Sequence, residues 1–297
     1  MKKLQIIFVL LSSLLTFICY ADDEAASDEQ AEYIAWATEL WGSVDKQQGD
    51  IKIPAAGAVL HVPDAFFYLN AKDSAKVLVD VWGNPPDDAV LGMLFPVDST
   101  PFDADSWAVT IEYEEDGYVS DEDADEIDYN ELLEQMQSDA ADSNKARVDA
   151  GYETIELVGW ASPPYYDAAH KKLHWAKEIK FGNNAENTLN YNIRVLGRKG
   201  VLVLNFIAGM EQKPLIDNNI DTVLALAEFE QGARYSDFNP DIDKVAGYGL
   251  GALVAGKVIA KTGVLAAALI FLKKFGVFLV VGAGTLFRSI FSRKKSQ

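Results

Sequence analysis

The second half of the chain alternates apolar and polar residues in the manner of an antiparallel meander. Lys172–Phe181 has apolar side chains at most of its alternate positions, and a period of two predicts a strand with one buried face. Thr188–Leu196 follows a Gly-Asn-Asn turn and predicts a second strand. Val201–Ala208 is mostly apolar, as expected of a short strand buried on both faces.

Periods of three to four residues predict helices before and after the meander. Pro214–Glu228 has the most regular apolar face, which consists of Leu215, Ile216, Ile220, Val223, Leu224, Leu226 and Ala227. Asp128–Ala141 has an inner face of Leu132, Leu133, Met136 and Ala140. Helices are also predicted within Asp22–Gln48 and over Ala71–Trp82, and the glycine and prolines after Trp82 end the latter.

Strands grouped together with helices at both ends predict one α+β domain. Ile51–Phe67 is expected to form paired short strands. Ser106–Val119 is expected to form a strand whose inward residues are Trp107, Val109, Ile111 and Tyr113. The expected architecture is an antiparallel sheet with packed helices. A meander followed by a terminal helix also resembles the Mog1/PsbP-like sandwich, which is the finer fold hypothesis.

The first 21 residues have the features of a secretory signal peptide. Lys2 and Lys3 precede the apolar run Leu4–Ile18, and small residues place the cleavage site after Ala21. The alternative is a first membrane anchor, for which this run is short against a bilayer of about 30 Å. Cys19 is the only cysteine. The mature chain would therefore have neither a disulfide nor a thiol nucleophile.

The charges divide the chain into an acidic body and a basic end. All 45 acidic residues lie between Asp22 and Asp243, together with about 15 basic ones. From Lys244 onward there are about nine basic residues and no acidic residue. This pattern predicts a periplasmic domain over residues 22–243 and a membrane anchor with a basic cytoplasmic tail over residues 244–297. An acidic body repels phosphate, so nucleic acid is not an expected partner.

The C-terminal stretch predicts one or more membrane helices that anchor the acidic body. A helix from about Val245 to Ala260 could cross, with Lys257 and Lys261 reaching the cytoplasmic surface. The Lys273-Lys274 pair disfavours a span centred on it, because a lysine at mid-bilayer costs about 2.5–3.5 kcal/mol. Phe275–Phe291 is either a second short span, a re-entrant piece or an interfacial helix. The number of passes stays open.

Small residues recur at intervals of four in this stretch. Gly247, Gly251 and Ala255 form a small-xxx-small pattern that lets membrane helices approach closely. Self-association through this face is one prediction. Ordinary glycine usage in a membrane helix is the simpler alternative.

Two groups of residues have spacings that resemble those of metal ligands. Asp121, Asp123 and Asp125 have the one-three-five spacing of a calcium loop, but its glycine and closing glutamate are absent. A solvated helix start, where acids meet unpaired amide groups, is the favoured alternative. His170, His174 and Glu178 would align on a helix, but the alternation around them indicates a strand that spreads them over roughly 26 Å. No metal site is therefore predicted.

Catalytic and cofactor motifs are not evident in the sequence. No GxSxG string occurs, and the Gly-rich positions lie in a hairpin turn or in the C-terminal apolar stretch. His61 is isolated and is interpreted as an ordinary surface histidine. No catalytic residue and no cofactor is therefore predicted.

A short motif of a tryptophan followed by two prolines occurs twice and suggests a recognition patch. The string WGNPP begins at Trp82 and the string WASPP at Trp160. The candidate patch consists of Trp82, Pro85, Pro86, Trp160, Pro163, Pro164 and Tyr165. Consecutive prolines fix an extended backbone, and aromatic side chains offer rigid contact surface. The favoured alternative is that both strings are turns that end regular elements, with core tryptophans.

Several long strings resemble a bacterial family of uncharacterised membrane-anchored proteins, the domain of unknown function 2167. They are WGNPP at Trp82–Pro86, LGMLFP at Leu91–Pro96, GYVSDEDADEIDYNELL at Gly117–Leu133, GWASPPYYD at Gly159–Asp167, LNYNIRVLGRKGVLVLNF at Leu189–Phe206 and GARYSDFNPDIDKVAGYGLGALVAG at Gly232–Gly256. The resemblance implies a signal peptide, an extracytoplasmic domain and a C-terminal anchor. It implies no established activity, cofactor or catalytic residue.

The functional prediction is an inner-membrane-anchored periplasmic module that binds another envelope protein or a ligand without catalysis. The rival hypothesis is an envelope hydrolase or other enzyme with an unrecognised site, in which His170 or His174 would act. A pocket that brings a histidine close to Asp167 or Glu178 would favour this rival. A calcium-dependent sensor acting through the loop Asp121–Asp125 is a third, weaker hypothesis.

Overall fold

The computed structural model describes residues 30–84, 86–103 and 105–256 of the chain. The chain divides into two units, Met1–Val44 and Asp45–Gln297. In the first unit, residues 30–42 form helix α1, so the helix predicted within Asp22–Gln48 is present over a shorter range. The predicted signal peptide lies outside the described residues. All further structural description concerns the second unit.

An antiparallel sheet of seven strands forms the centre of the second unit. Its strands are β3 (Phe66–Asn70), β4 (Val90–Pro96), β5 (Ala108–Glu114), β6 (Ile155–Asp167), β7 (Lys172–Phe181), β8 (Thr188–Leu196) and β9 (Val201–Gly209). Their order is β3-β4-β5-β9-β8-β7-β6, so that β3 and β6 are the edges. The predicted meander is confirmed as β7, β8 and β9, which pair in sequence.

A second sheet of three strands joins two segments of this unit that are far apart in the sequence. It consists of β1 (Gly49–Ile53), β2 (Ala58–Val62) and β10 (Ala227–Phe229), in the order β1-β2-β10. All of its pairs are antiparallel. The paired short strands predicted over Ile51–Phe67 are confirmed as β1 and β2.

The small sheet and helix α4 (Lys213–Leu226) cover one face of the large sheet and share a hydrophobic core with it. Val109 and Ile111 of β5 are fully buried in this core, as predicted. Leu215 was predicted to belong to the apolar face of α4 but is 49% exposed. The helix directs Ile216 and Val223 inward instead, and an adjacent position points about 100° away.

The other face of the large sheet is covered by α3 (Tyr129–Asp149) and by the short helix α5 (Leu250–Ala255). Asp128 caps α3, because its side chain accepts hydrogen bonds from the amide groups of Asn130 and Glu131. Met136 and Ala140 of α3 pack against the ends of β6 and β7, as predicted. The helix is longer than the predicted Asp128–Ala141, because no breaker follows Ala141 before Gly151.

The C-terminal apolar stretch corrects one prediction. Ala246, Leu250, Leu253 and Val254 are at most 8% exposed, and they pack against residues such as Trp175 and Val203 of the large sheet. A membrane span that begins at about Val245 is therefore wrong, since this part of the chain completes the core of the body. No helix in the described part of the chain is both long and apolar enough to cross a bilayer.

The segment after β3 is helical, as predicted over Ala71–Trp82, but irregular. Helix α2 (Ala71–Ala75) continues directly into a π-helical turn over Lys76–Val81. Gly83 then takes a φ of +63°, which a glycine adopts without strain. This left-handed residue ends the helical segment at the predicted place.

Candidate functional site

The histidines near β7 do not form a shared site with Glu178. His174 and Glu178 lie on β7, whereas His170 lies in the turn before it. Each side chain has a different partner: His170 Nδ1 is 2.6 Å from Asp167 Oδ2, His174 Nδ1 is 3.0 Å from the Tyr191 hydroxyl, and Glu178 Oε1 accepts from Asn187 Nδ2 at 2.5 Å. Within the described ranges, no three histidine or acidic side chains form a group that could hold a metal ion.

The His170–Asp167 contact pairs a histidine with a carboxylate, as some catalytic sites do. Hydrogen bonds from the ring and the backbone of His170 lower the pKa of Asp167. However, the side chains are 71% and 35% exposed on a surface turn. A general base needs a substrate held within hydrogen-bonding reach, and at a turn this exposed both side chains are accessible to water.

His174 belongs to a cluster of neutral aromatic groups. Burial lowers the pKa of His174 and raises that of Tyr191, so both groups are uncharged at neutral pH. The Tyr165 ring stands edge-on to the imidazole at a centroid distance of 5.5 Å and is 61% exposed. The cluster therefore offers aromatic surface and neutral hydrogen-bonding groups.

Asp121 is occupied by a network of hydrogen bonds. Its carboxylate accepts from the Tyr166 hydroxyl at 2.6 Å, from Lys171 Nζ at 2.7 Å and from the Tyr235 hydroxyl at 2.9 Å. Burial alone would raise the pKa of Asp121, but these three bonds outweigh it and lower the pKa. Lys171 has the only positive φ (57°) of a non-glycine residue in the described chain, and its ion pair with Asp121 helps to hold that conformation.

The other two acids of the proposed calcium loop do not join Asp121. Asp123 Oδ1 accepts a hydrogen bond from the backbone amide of Leu250 at 3.2 Å, while Asp125 is exposed. A calcium ion takes six to eight oxygen ligands, whereas here Asp121 and Asp123 are directed at protein donors. The loop therefore contacts the rest of the chain through side chains that the spacing had suggested as ligands.

Acidic side chains fasten the stretch Tyr235–Gly256, here called the C-terminal segment, to the body. Besides the bonds of Asp121 and Asp123, the Tyr248 hydroxyl donates to Asp116 Oδ2 at 2.6 Å. Within the segment, Asp243 forms a bidentate pair with Arg198, at 2.7 and 3.1 Å. Gly117 lies so close to this segment that an added Cβ would be 2.6 Å from the carbonyl oxygen of Lys244. The segment is thus held by hydrogen bonds along its length as well as by its apolar side chains.

The residues of the predicted recognition patch do not come together. Trp82 is 7% exposed, donates to the carbonyl of Pro101 at 2.9 Å and packs on Phe95 of β4. Trp160 lies on β6 and donates to the carbonyl of Tyr129. Four strands separate β4 from β6, a distance of about 24 Å at the usual strand spacing. A single patch is therefore wrong; Pro85 lies outside the described residues, and Pro86 is exposed.

The second half of the predicted patch lies on an edge strand. β6 includes Pro163, Pro164 and Tyr165, and its pairing with β7 is interrupted by irregularities in three places. Pro163 and Tyr165 are exposed, whereas Pro164 is buried. Proline is tolerated on an edge strand because it has no amide hydrogen to donate. The WASPP string therefore does not end a regular element, but continues one.

Helix α3 covers the first half of the same edge with polar side chains. Asn144 exchanges two hydrogen bonds with the backbone of Ile155, at 2.7 and 2.9 Å. Gln137 donates to the carbonyls of Leu157 and Val158 at 3.1 and 3.2 Å. Arg147 Nε donates to the carbonyl of Glu153 at 2.8 Å. Between α3 and β6 lies an open cleft of about 490 Å³.

The sequence prediction missed this arrangement, although one signal for it exists. Gln137 and Asn144 are seven residues apart, which is two helical turns, so they lie on the same side of α3. They were not singled out because a polar side of a helix is usually directed at solvent.

The comparisons with known proteins extend over most of the chain. A family model described as a protein of unknown function (DUF2167) matches residues 45–284. No curated protein matches the chain. Among solved structures, the chain is similar to cyanobacterial PsbP (CyanoP) from Synechocystis sp. PCC 6803, with 10% identity, a TM-score of 0.36 and coverage of 63% of this chain and 94% of that one.

A second structural neighbour is the Ran-binding protein Mog1p of Saccharomyces cerevisiae. The identity is 10% and the TM-score 0.30, with coverage of 66% of this chain and all of that one. The α+β class with antiparallel sheets is shown by the helices and strands of the chain itself. The two structural neighbours come from the two groups after which the Mog1/PsbP-like sandwich is named, and both are distant.

Proposed function

Because the chain belongs to DUF2167, a family of unknown function, we propose its role from its own residues. It is an inner-membrane-anchored periplasmic module that binds another envelope protein without catalysis, and it does so at the β6 edge. The family description specifies neither the location nor the partner. The following observations support the proposed location and binding surface.

Exposed apolar side chains distributed along β6 and just before it carry this proposal. Val158 and Tyr165 of β6 are 41% and 61% exposed, and Val148 and Tyr152, at the end of α3 and just after it, are 56% and 41% exposed. Large apolar groups at a sheet edge are available to a partner, and exposed tyrosines are frequent anchors of protein interfaces. The predicted residues Pro163 and Tyr165 belong to this surface.

We assign the anchor to a later part of the chain than the hydrophobic pattern alone suggested. Because residues up to Gly256 belong to the body, we assign the body to residues 22–256 and the anchor to residues 257–297. This last stretch contains no acidic residue and ends in a basic cluster, which the positive-inside bias would keep in the cytoplasm. Self-association through Gly247, Gly251 and Ala255 stays a prediction, although Gly251 approaches Ile127 within the body.

Single engineered cysteines test the topology, because Cys19 is the only native cysteine and lies in the proposed signal peptide. We expect Asp98→Cys in the body to react with a membrane-impermeant maleimide in cells whose outer membrane has been permeabilised. Ser296→Cys should react only after the inner membrane is disrupted. Equal labelling of both positions in intact spheroplasts would contradict the proposed orientation.

In-cell photocrosslinking tests the proposed interaction. A photoreactive amino acid at Val158 should give a reproducible crosslinked protein, identified by mass spectrometry. Val97 offers a matched control, because it is also an exposed valine (51%) but lies just after β4, toward the other edge of the large sheet. The same products from both positions, or none from either, would reject the β6 edge as the interaction surface.

A further inference from the structure

Three side chains of α3 occupy the backbone edge of β6 in place of a neighbouring strand. Together, Gln137, Asn144 and Arg147 make five hydrogen bonds to the backbone between Glu153 and Val158. An added strand would bond the same outward N–H and C=O groups, since backbone pairing is the ordinary way to satisfy a sheet edge. The edge is therefore closed by side chains and not by a backbone.

The cover formed by α3 is shallow. Of its 21 residues, only Met136, Ala140 and Arg147 are buried. The open cleft of about 490 Å³ that remains between α3 and β6 is lined on the sheet side by Thr154–Val158, Lys180 and Gly182. Thr154, Glu156 and Val158 are exposed, so a peptide can reach this part of the edge from solvent.

The rest of the edge does not accept a strand. Beyond Leu157 the pairing of β6 with β7 shifts register repeatedly, and Pro163 and Pro164 have no amide hydrogen to offer. Bulges and prolines of this kind prevent strand addition at exposed edges. The regular part is thus confined to Ile155–Leu157, and the exposed residues Thr154 and Val158 flank it.

We propose that Thr154–Val158 is a docking site for an extended, cationic segment of a partner protein, which adds to the large sheet as an eighth strand and displaces the amides of Gln137 and Asn144. The inference rests on the proposed interaction function and names the chemistry of its partner. The backbone groups of an edge strand match those of another extended chain, as in other cases of strand addition.

Charge complementarity points to a cationic partner. Glu156 is exposed next to the cleft and lies opposite Lys180 in the β6–β7 pair, and the body as a whole has about three acidic residues for each basic one. A lysine or arginine opposite Glu156 on an added strand would pair with this carboxylate from the other side, and opposite charges across strands stabilise pairing.

A peptide titration on the purified full chain tests this site. The probe is a fluorescein-labelled peptide of four Lys-Val repeats, and its control is the same peptide N-methylated at every residue, which keeps the charge and loses all backbone donors. The protein variants are Gln137→Ala combined with Asn144→Ala and, as a matched control, Gln135→Ala, whose side chain bonds Asp139 on the exposed side of α3.

We expect the Lys-Val peptide to bind the native chain and to bind the double variant at least tenfold more tightly, because no side chain then competes for the edge. Gln135→Ala should bind as the native chain does, and the methylated peptide should bind neither. Hydrogen exchange should show new protection at residues 154–158 of the native chain, a readout that does not depend on the folding of the variant.

Equal binding of the methylated peptide would overturn the proposal, because charge alone would then explain the affinity. No binding, or no added protection of the edge, would overturn it as well. Dimerisation of the double variant without peptide would assign the edge to a second copy of the chain and reject a partner strand. A crosslinked partner at Val158 with a failed titration would preserve the interaction module and remove this mode of binding.

Discussion

The spacing of Asp121 in the sequence suggests a calcium ligand, whereas its contacts in the structure give it a structural role. The sequence placed it in an alternating row of acids, but its carboxylate binds Tyr166, Lys171 and Tyr235. These partners come from the end of β6, from the β6–β7 turn and from the C-terminal segment. Asp121 therefore connects three parts of the chain that are distant in sequence.

Replacing Asp121 by Asn should destabilise the body by about 1–3 kcal/mol, the usual penalty when partly buried partners lose their charged acceptor. Chemical denaturation monitored by tryptophan fluorescence measures this change. Asp125→Asn is the control, because Asp125 is exposed in the same loop, and it should change the free energy of unfolding by less than about 0.5 kcal/mol.

The same carboxylate predicts the direction of a pH dependence. Its folded-state pKa is lowered, so its contribution is fully present above the unfolded-state pKa of about 3.9 and is lost as the pH falls through the lower, folded-state value. Between pH 6 and pH 3, the stability difference between the native chain and Asp121→Asn should therefore shrink. A difference that grows on acidification would contradict the role given to this residue.

Alternation identified which residues share a face of a strand but not what lies over that face. On β8, Asn190, Asn192 and Arg194 occupy the polar positions, which suggests exposure to solvent, yet each is at most 6% exposed. Arg194 lies over the Trp175 ring at 5.1 Å and donates to Asn205 Oδ1 at 3.0 Å. Cover by distant segments is not encoded in a local period, so this buried polar row could not be predicted.

At the scale of elements, regular strands were predictable and irregular ones were not. β7, β8 and β9 each have a clear period or a continuous apolar run, and all three were predicted nearly to their ends. β6 was missed because two prolines and several register shifts interrupt its pattern, and these are the features that mark it as an edge. β4 has too few polar residues to show any period.

The prolines of β6 predict a measurable effect on association. The double substitution Pro163→Val and Pro164→Val restores two backbone donors and adds strand-favouring side chains. We expect the variant to self-associate with rising concentration in sedimentation velocity, because a long exposed edge pairs readily with another. Ser162→Val is the control for added apolar surface without a new donor. A double variant that behaves as the control does would show that the prolines do not protect the edge.

For the whole molecule, the decisive difference between prediction and structure concerns the stretch after Asp243. Its glycine-rich, apolar composition fits a membrane helix and the last layer of a soluble core equally well, because both environments exclude water. Leu250 and Val254 are buried against the large sheet. Composition alone does not distinguish a membrane helix from a layer of the core. The distinction depends on whether the sheet has an apolar face that this stretch can cover.

Leu253→Ala should therefore lower the stability of the body, by about 2–5 kcal/mol for a buried leucine. The control is Leu215→Ala on α4, where the side chain is 49% exposed and the expected loss is below about 1 kcal/mol. Thermal unfolding of the two variants in the same detergent measures the difference. Similar melting temperatures would indicate that the C-terminal segment is not part of the cooperative unit.

The position of the C-terminal segment in the core also determines when the body can complete its folding during synthesis and export. Val203 and Trp175 remain without their cover until Leu250, Leu253 and Val254 have been synthesised. In the proposed topology these three residues leave the export channel just before the anchor enters it. The body would therefore emerge into the periplasm before its fold is complete. Export and insertion would then end in one event, in which the last residues to emerge close the body while the stretch behind them halts translocation.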